Sequence, residues 1–459
     1  MKLGDTIAAI STALGPAGIG VIRISGNKAI EITEALFHST RPGLQLKQAP
    51  SHHFFHGWVY DGKQPIDEVM IALMKAPHSY TTEDIVEIQC HGSILVLQNI
   101  LELVLNLGVR LADPGEFTQR AFLHGRMDLT QVEAVSDLIN ARSKMGIQAA
   151  VDQLKGKLFK AIDAVREKVF YVAALIEASI DFSDEDEEFT HREDCILRLR
   201  NACDDLENLL ASAEHGKMMR SGLGVALIGL PNVGKSSLLN AMLKENRAIV
   251  TDIPGTTRDI IEESIQIKGL AVRLIDTAGI RKTEDLIENE GMQRSRDAFE
   301  TADLILLILD SSCPLNEESI GLLQETDPEN TVVILNKKDL LSGQQPSWIG
   351  KLEAFTTVAV SAKYEEGLEE LKEVLFQKGT EGIMMADEQV LITNVRQQQA
   401  AKNAFSALQI AIEGLENELG EEFLAVDLAD CLRALGEIVG ETTAEDLLNR
   451  IFSEFCIGK

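Results

Sequence analysis

The chain has 459 residues, 72 Asp and Glu against 43 Lys and Arg, and a formal net charge of −29. At about 150 residues per domain the length predicts about three domains, and ordinary apolar content excludes gross disorder. So acidic a composition argues against a protein that binds nucleic acid over its own broad face, because phosphates are met by Lys and Arg.

The charge is uneven. Residues 1–150 carry 12 positive and 15 negative groups, whereas residues 381–459 carry 5 and 15. Seven of the nine histidines also fall in 1–150, which makes that part the one suited to an anionic small molecule. Six cysteines are scattered without a C-x-x-C pair, so a reducing, cytoplasmic setting and no zinc site are expected. No apolar run approaches the ~18 residues of a membrane span, and no secretion signal is visible.

In chain order, 1–120 reads as short strands with helices between them. The stretches 20–25, 67–74 and 84–92 are strand-like, the last by its alternation of apolar and polar residues. Residues 93–108 form a long apolar run closed by Gly108, which predicts a buried helix. From about 120 to 218 the periodicity becomes helical, notably over 128–142 and 147–180. The acidic run 181–189 reads as a solvated loop. Five short, bounded apolar runs then follow at 225–229, 272–276, 304–310, 332–336 and 358–362, as in a buried parallel sheet. From 381 onward the pattern is helical again, with Thr442 and Glu445 spaced as a capping box.

The expected fold is therefore multidomain, α/β and all-α. An N-terminal α/β domain spans 1–120, and a helical domain begins with 121–218. A doubly wound α/β domain over 219–380 is inserted in it, and 381–459 completes the helices, which are too few on either side to form a bundle alone.

Gly229–Ser236 reads G-L-P-N-V-G-K-S, a G-x-x-x-x-G-K-S loop between a strand and a helix. Such a loop turns backbone N–H groups inward around phosphate oxygens, at the positive end of the following helix. Asn232, Val233, Gly234, Lys235, Ser236 and Ser237 are the expected phosphate-binding residues. Lys235 would reach the β- and γ-phosphates and Ser236 would hold Mg²⁺.

Three further motifs stand in order at strand ends. Asp276, Thr277, Ala278 and Gly279 form D-T-A-G, in which Asp276 can hold Mg²⁺ through water and the Gly279 N–H can meet the γ-phosphate. Asn336, Lys337, Lys338 and Asp339 form N-K-K-D. The Asp339 carboxylate can accept both N1–H and N2–H₂ of guanine, and a buried Asp339 left unpaired would reject adenine. Ser361, Ala362 and Lys363 form S-A-K, which can complete the base pocket. Ligands at the C-terminal ends of strands suit an open α/β sheet. Together these motifs predict a P-loop GTPase, and the region resembles GTPase domains of the translation-factor-related class.

Ile280 follows D-T-A-G, where many GTPases place a water-orienting Gln, so hydrolysis must use another group. With Asn232 in the loop and T-D-I-P-G-T-T-R-D at 251–259, the region further resembles GTPases activated by K⁺. This segment places Thr251, Asp252, Ile253, Pro254, Gly255, Thr256 and Thr257 around the nucleotide.

The outer motifs make the resemblance specific. G-I-G-V-I-R-I-S-G (18–26), S-Y-T-T-E-D-I-V-E-I-Q-C-H-G (79–92), D-P-G-E-F-T-Q-R-A-F-L-H-G-R-M-D-L-T-Q-V-E-A (113–134) and F-C-I-G-K (455–459) are similar, in order along the chain, to the bacterial tRNA-modification GTPases of the MnmE (TrmE) family, in the TrmE-Era-EngA-like class. The resemblance implies an N-terminal domain that binds 5-formyl- or 5,10-methylene-tetrahydrofolate and forms a homodimer. The folate residues it implies are Arg23, Glu87, Arg126 and Lys459. Arg126 stands at a place where relatives can have Lys. Glu87 could accept from a pterin edge, and the arginines suit carbonyls or carboxylates. The same Arg23 and Glu87 read without the resemblance are partners in a cross-strand salt bridge.

For the GTPase the resemblance implies K⁺ on Asn232, Thr251, Ile253 and Thr256, Mg²⁺ on Ser236 and Thr257, and Glu288 as the group that orients water. Glu290 is the rival in the same acidic run, and a solvated face is the plain reading of both. Cys456 is either a thiol with a chemical part near the folate or a buried structural cysteine, and the last four residues match a prenylation box poorly.

The implied activity is a potassium-activated GTPase that acts with the flavoprotein MnmG (GidA), as a heterotetramer, on C5 of the wobble uridine of certain tRNAs. It would add an aminomethyl or carboxymethylaminomethyl group, without a membrane. The alternatives are a ribosome-assembly RNA-binding GTPase, which should carry a basic module that the segment charges lack, and a folate enzyme with a regulatory GTPase.

Overall fold

The computed structural model describes residues 4–181, 192–246, 262–276, 302–341, 346–380, 390–442, 445–453 and 455–459. The chain divides by its internal contacts into two units. One joins Met1–Ser136, Leu154–Asp186 and Leu419–Lys459, and the other joins Asp137–Gln153 and Glu187–Glu418.

The first unit begins with β1 (Ile7–Ile10), β2 (Ala17–Ser25), α1 (Ala29–Leu36), β3 (Phe37–Ser39), β4 (His53–Asp61), β5 (Gln64–Met74), β6 (Ile85–Gly92), α2 (Ile94–Asn106), β7 (Arg110–Leu111) and α3 (Glu116–Leu123). Seven strands form one sheet in the order β3-β4-β5-β6-β2-β1-β7, antiparallel except for β1 against β7. Its core takes every second residue of the strands, such as Ile22 and Ile24, Ile71 and Leu73, and Val86 and Ile88, against Leu97, Ile100 and Val104 of α2. Burial on one face is the reason 84–92 alternates. The run at 93–108 is indeed a helix followed by Gly108, but it is amphipathic in use: Ile94 and Leu95 are exposed.

Helices α4 (Leu129–Asn140), α5 (Lys144–Leu154), α6 (Lys157–Asp181), α7 (Arg192–Ala211) and α8 (Ala213–Ser221) follow. The stretch 147–180 is thus two helices, broken at Lys155–Gly156. After the second sheet come α12 (Val395–Glu416), α13 (Glu421–Val439) and α14 (Glu445–Ser453).

Within the first unit α6 packs on α13, and within the second α7 packs on α12. The contacts follow spacings of three and four residues. Leu158, Ile162, Val165, Val169, Val172 and Ile176 are buried along α6, and Leu424, Leu428, Cys431, Leu435 and Ile438 along α13. Each such side chain contributes about 1.5–3 kcal/mol of burial, so neither helix is stable without its partner. Helices preceding the GTPase therefore pair with helices following it, and the GTPase is inserted in the helical domain. The Thr442 hydroxyl donates to the Arg433 carbonyl, and the expected capping box runs across 443 and 444, which lie outside the described residues.

The second sheet contains β8 (Leu223–Ile228), β9 (Glu262–Ile267), β10 (Leu270–Asp276), β11 (Leu304–Asp310), β12 (Thr331–Asn336) and β13 (Thr356–Ala359), with α9 (Lys235–Asn246), α10 (Glu317–Glu325) and α11 (Leu368–Thr380) between them. The order is β13-β12-β11-β8-β10-β9, parallel except for the edge strand β9. Successive residues of one strand enter different cores: Val225 and Leu227 one, Ala226 and Ile228 the other. Burial on both faces explains the unbroken apolar runs. Two details depart from the sequence reading. The edge strand β9, E-E-S-I-Q-I, lacks such a run, and the last strand stops at Ala359, after which Ser361 makes an isolated bridge with Glu366.

Candidate functional site

The phosphate loop lies between β8 and α9, so Lys235 opens α9 and the exposed Ser236 and Ser237 stand in its first turn. Asn232 has a left-handed φ of 65°. Gly234 has φ 100°, and a Cβ there would lie 2.2 Å from Asn336 Nδ2. This close approach leaves no room for any other residue. Lys235 Nζ donates to the carbonyls of Gly229 (2.6 Å) and Leu230 (3.0 Å), which holds the ammonium over the loop.

Asn336, at the end of β12, is fully inside the protein and joins three motifs. Its Nδ2 donates to the Val233 carbonyl at 2.8 Å, and its Oδ1 accepts from the Ala362 N–H at 3.1 Å. The N-K-K-D asparagine thereby fixes the phosphate loop and S-A-K relative to each other. Lys337 has φ 64°, and its Nζ donates to Asp310 Oδ2 at 2.6 Å. Burial works against the Asp310 carboxylate, but hydrogen bonds from Lys337 and Ser312 outweigh it and hold its pKa below the usual range. Asp310 was not singled out in the sequence, where it reads only as the end of an apolar strand.

Asp339 is exposed, not buried as the sequence reading had it, and accepts from the Ser361 hydroxyl at 2.6 Å. Lys338 pairs with Glu366, and Lys363 lies 5.0 Å from the Tyr364 ring centroid. Asp276 ends β10 as expected. Thr251, Asp252, Ile253, Pro254, Gly255, Thr256, Thr257, Thr277, Ala278, Gly279, Glu288 and Glu290 lie outside the described residues, as does the acidic run 182–189.

A second cluster lies in the first unit. Arg23 on β2 and Glu87 on β6 are direct cross-strand partners, with Nε and Nη2 both donating to Glu87 Oε1 at 2.9 and 2.8 Å. The salt bridge read from the sequence is thus present. It is also more than a strand pair, because Arg23 Nη1 donates to the Gly458 carbonyl at 3.3 Å. The Ser11 hydroxyl donates to the same carbonyl at 3.0 Å, and the Phe117 N–H donates to the Lys459 carbonyl. Gly458 has φ 97°, and a Cβ there would lie 2.4 Å from the Ile10 carbonyl. Burial first, and then the Arg23 charge, lower the Lys459 pKa, while Glu87 opposes them. The site thus brings Arg23, Glu87 and Lys459 together.

Arg126 joins through Tyr80. Its Nη1 donates to the Tyr80 carbonyl at 2.9 Å, and its guanidinium lies 4.9 Å from the Tyr80 ring centroid. Arg23 lies 5.5 Å from the centroids of both Tyr80 and Phe117. Tyr80 belongs to a quoted motif but offered no signal of its own, since only the fold sets two arginines on one ring. Cys456 is exposed, which overturns its reading as a buried structural cysteine. By contrast, Cys90 is buried and its thiol is pushed up to about 11.

Behind this cluster a buried charge network holds α3 and the loop before β6. Arg120, on α3, donates to Asp5, Glu83 and Glu116. Glu116 also accepts from Arg110 and from the Asp113 N–H. Burial raises the Glu116 pKa, but these hydrogen bonds outweigh it and leave it lowered. Glu83 accepts from Ser25, and His124 Nδ1 donates to the Thr81 carbonyl, so the loop carrying Tyr80 is fixed from both sides. Beside Tyr80 and Arg126 opens a cleft of about 690 Å³, also lined by His52, Met74, Pro77, His78, Ser79, Thr82 and His124.

Among the described residues no group of three or more His, Cys, Asp and Glu is placed to hold a metal, and no helix is long and apolar enough to cross a membrane.

Comparison with known proteins covers both clusters. Residues 6–126 match the family model of the GTP-binding protein TrmE N-terminus, and 129–456 match the MnmE helical domain. The chain is 47% identical to a tRNA modification GTPase MnmE of Syntrophus aciditrophicus, 45% to one of Alkaliphilus oremlandii and 44% to one of Clostridioides difficile, in each case over 100% of both chains. With family models matched over 6–126 and 129–456, and relatives of this identity along its whole length, the chain belongs to the MnmE family of tRNA modification GTPases.

Proposed function

We propose that this protein hydrolyses GTP to drive modification of C5 of the wobble uridine in certain tRNAs, acting as a homodimer with the flavoprotein MnmG in the cytoplasm. The observation that carries the nucleotide reading is the Asn336 side chain, which bonds the phosphate loop at Val233 and S-A-K at Ala362 at once. Three loops held by one buried amide make a preformed pocket, at the strand ends where nucleotides bind. Asp339 reads guanine there, and Ser361 orients its carboxylate. The wide, left-handed turn at Asn232 and Gly234 fits the loop to phosphate oxygens.

Ser236, exposed in the first turn of α9, and Thr257 would hold Mg²⁺, with Asp276 acting through water. Asn232, Thr251, Ile253 and Thr256 would hold K⁺, whose charge offsets that on the transferring phosphate. Glu288 would orient the attacking water in place of the Gln that Ile280 precludes.

The first unit would hold the tetrahydrofolate carrier. The donor set fits: Glu87 accepts from a pterin edge, Arg23 and Lys459 offer donors beside it, and the Tyr80 ring offers a flat face. When bound, the carrier supplies the one-carbon unit. The exposed Cys456 stands three residues from Lys459. The charge of the chain leaves tRNA phosphates to be met chiefly by the partner.

The test is nucleoside analysis of tRNA from a strain lacking this chain, complemented with wild type or Asp339→Asn. Wild type restores the modified wobble uridine and Asp339→Asn does not. The purified variant shifts its preference from GTP towards xanthosine triphosphate. Modification that persists without the chain overturns the reading, and an unchanged preference for GTP removes Asp339 from the base pocket.

A further inference from the structure

The cleft beside Tyr80 has a chemistry of its own. Arg126 and three histidines, His52, His78 and His124, line it, and none of its lining residues is acidic. Arg126 gives the cleft a positive charge that no lining carboxylate offsets, which favours an anion. It is no metal site, since among the described residues no group of three or more His, Cys, Asp and Glu is placed to hold one.

Its position says which anion. The Tyr80 ring carries Arg126 at the cleft and Arg23 at the Glu87–Lys459 cluster, so the two places share one wall. A carrier seated with its pterin on Glu87 must run its other end away from that half-buried cluster. That other end is a glutamate, commonly extended by γ-linkage into an oligocarboxylate chain. The cleft is open and about 690 Å³, which suits a flexible tail of variable length rather than an enclosed ring.

We propose that this cleft binds the γ-linked oligoglutamate tail of the tetrahydrofolate carrier. The inference rests on the folate reading of Arg23, Glu87 and Lys459, and adds a preference for the long-tailed forms. Arg126 pairs with the first carboxylates, and the imidazoles meet later ones. His124 commits Nδ1 to the Thr81 carbonyl, which leaves Nε2 as the ring nitrogen not used by that bond.

Isothermal titration of the full chain with 5-formyltetrahydrofolate bearing one or five glutamates tests this. Several partly exposed charge contacts predict a Kd about tenfold lower for the five-glutamate form. A double variant, His52→Asn with His78→Ala, should abolish that gain while leaving the one-glutamate Kd unchanged. Asn suits position 52, where φ is 60°. Equal affinities in the wild type overturn the inference and leave the folate reading intact. A gain that survives in the double variant places the tail elsewhere and also overturns it. If neither form binds, the folate reading fails and the inference fails with it.

Discussion

The two clusters of this protein are built in different ways. The nucleotide loops each consist of consecutive residues at a strand end, and one buried amide, Asn336, joins them. The N-terminal cluster draws single residues from β2, β6, the loop after α3 and the segment 455–459. It brings Arg23 to Gly458, which is 435 residues away in sequence. Phosphate binding needs many backbone N–H groups in one turn, which a contiguous motif supplies. A site for a larger, partly apolar carrier needs separate side chains converging on it, and only a folded core can bring those together.

The buried network behind the second cluster offers the largest test of this difference. Glu116→Gln leaves the buried Arg120 and its partner Arg110 without their shared carboxylate, which should cost about 3–5 kcal/mol. Urea unfolding of the first unit at pH 7 should show the loss, while GTP affinity stays unchanged. The pH dependence has a definite sign. Hydrogen bonds from arginines outweigh burial and lower the pKa values of Asp5 and Glu116. Their contribution is complete above the unfolded values near 3.8 and 4.5 and is lost as pH falls through the lowered ones. The Gln variant should therefore lose less stability than wild type between pH 5 and pH 2. A variant as stable as wild type would show that the network does not hold this unit.

Gly234→Ala should break the other cluster alone. The added Cβ meets Asn336 Nδ2 at 2.2 Å in a backbone conformation that disfavours Ala. Loss of about 3 kcal/mol, or about 100-fold in affinity for a fluorescent guanine nucleotide, is expected. Tetrahydrofolate binding should not change. Normal nucleotide affinity would mean that the contact with Asn336 does not set the loop.

The smallest effect is expected from Gly458→Ala, at about 1–2 kcal/mol confined to residues 455–459. The Cβ contact with the Ile10 carbonyl should undock the tail, speed hydrogen exchange there and weaken folate binding severalfold. GTP hydrolysis by the isolated chain should be unchanged. If tail exchange stays slow, its docking does not depend on the left-handed turn.

Most of the second sheet was legible because burial on both faces leaves long apolar runs, and the loops that bind phosphate and base follow them directly. The edge strand β9 was missed because it is covered on fewer sides and so carries no such run. Asp310 was missed because its partner, Lys337, lies on the neighbouring strand's end. In the first sheet 84–92, with one buried face, announced itself by alternation, whereas β4 (His53–Asp61) was not singled out as a strand. The buried charges did not, since Asp5, Glu83, Arg110, Glu116 and Arg120 look in sequence like ordinary surface residues.

By itself the sequence determined the α/β and helical classes, the inserted GTPase and the chemistry of its loops. These depend on local spacing, apolar periodicity and motifs that work within one turn of chain. Only the tertiary structure decided that Arg23 bonds the Gly458 carbonyl as well as Glu87, that Tyr80 links both arginines, that Asp339 is exposed and that Cys456 is not buried. Such facts depend on which distant residues a core presses together, and on which groups water can still reach.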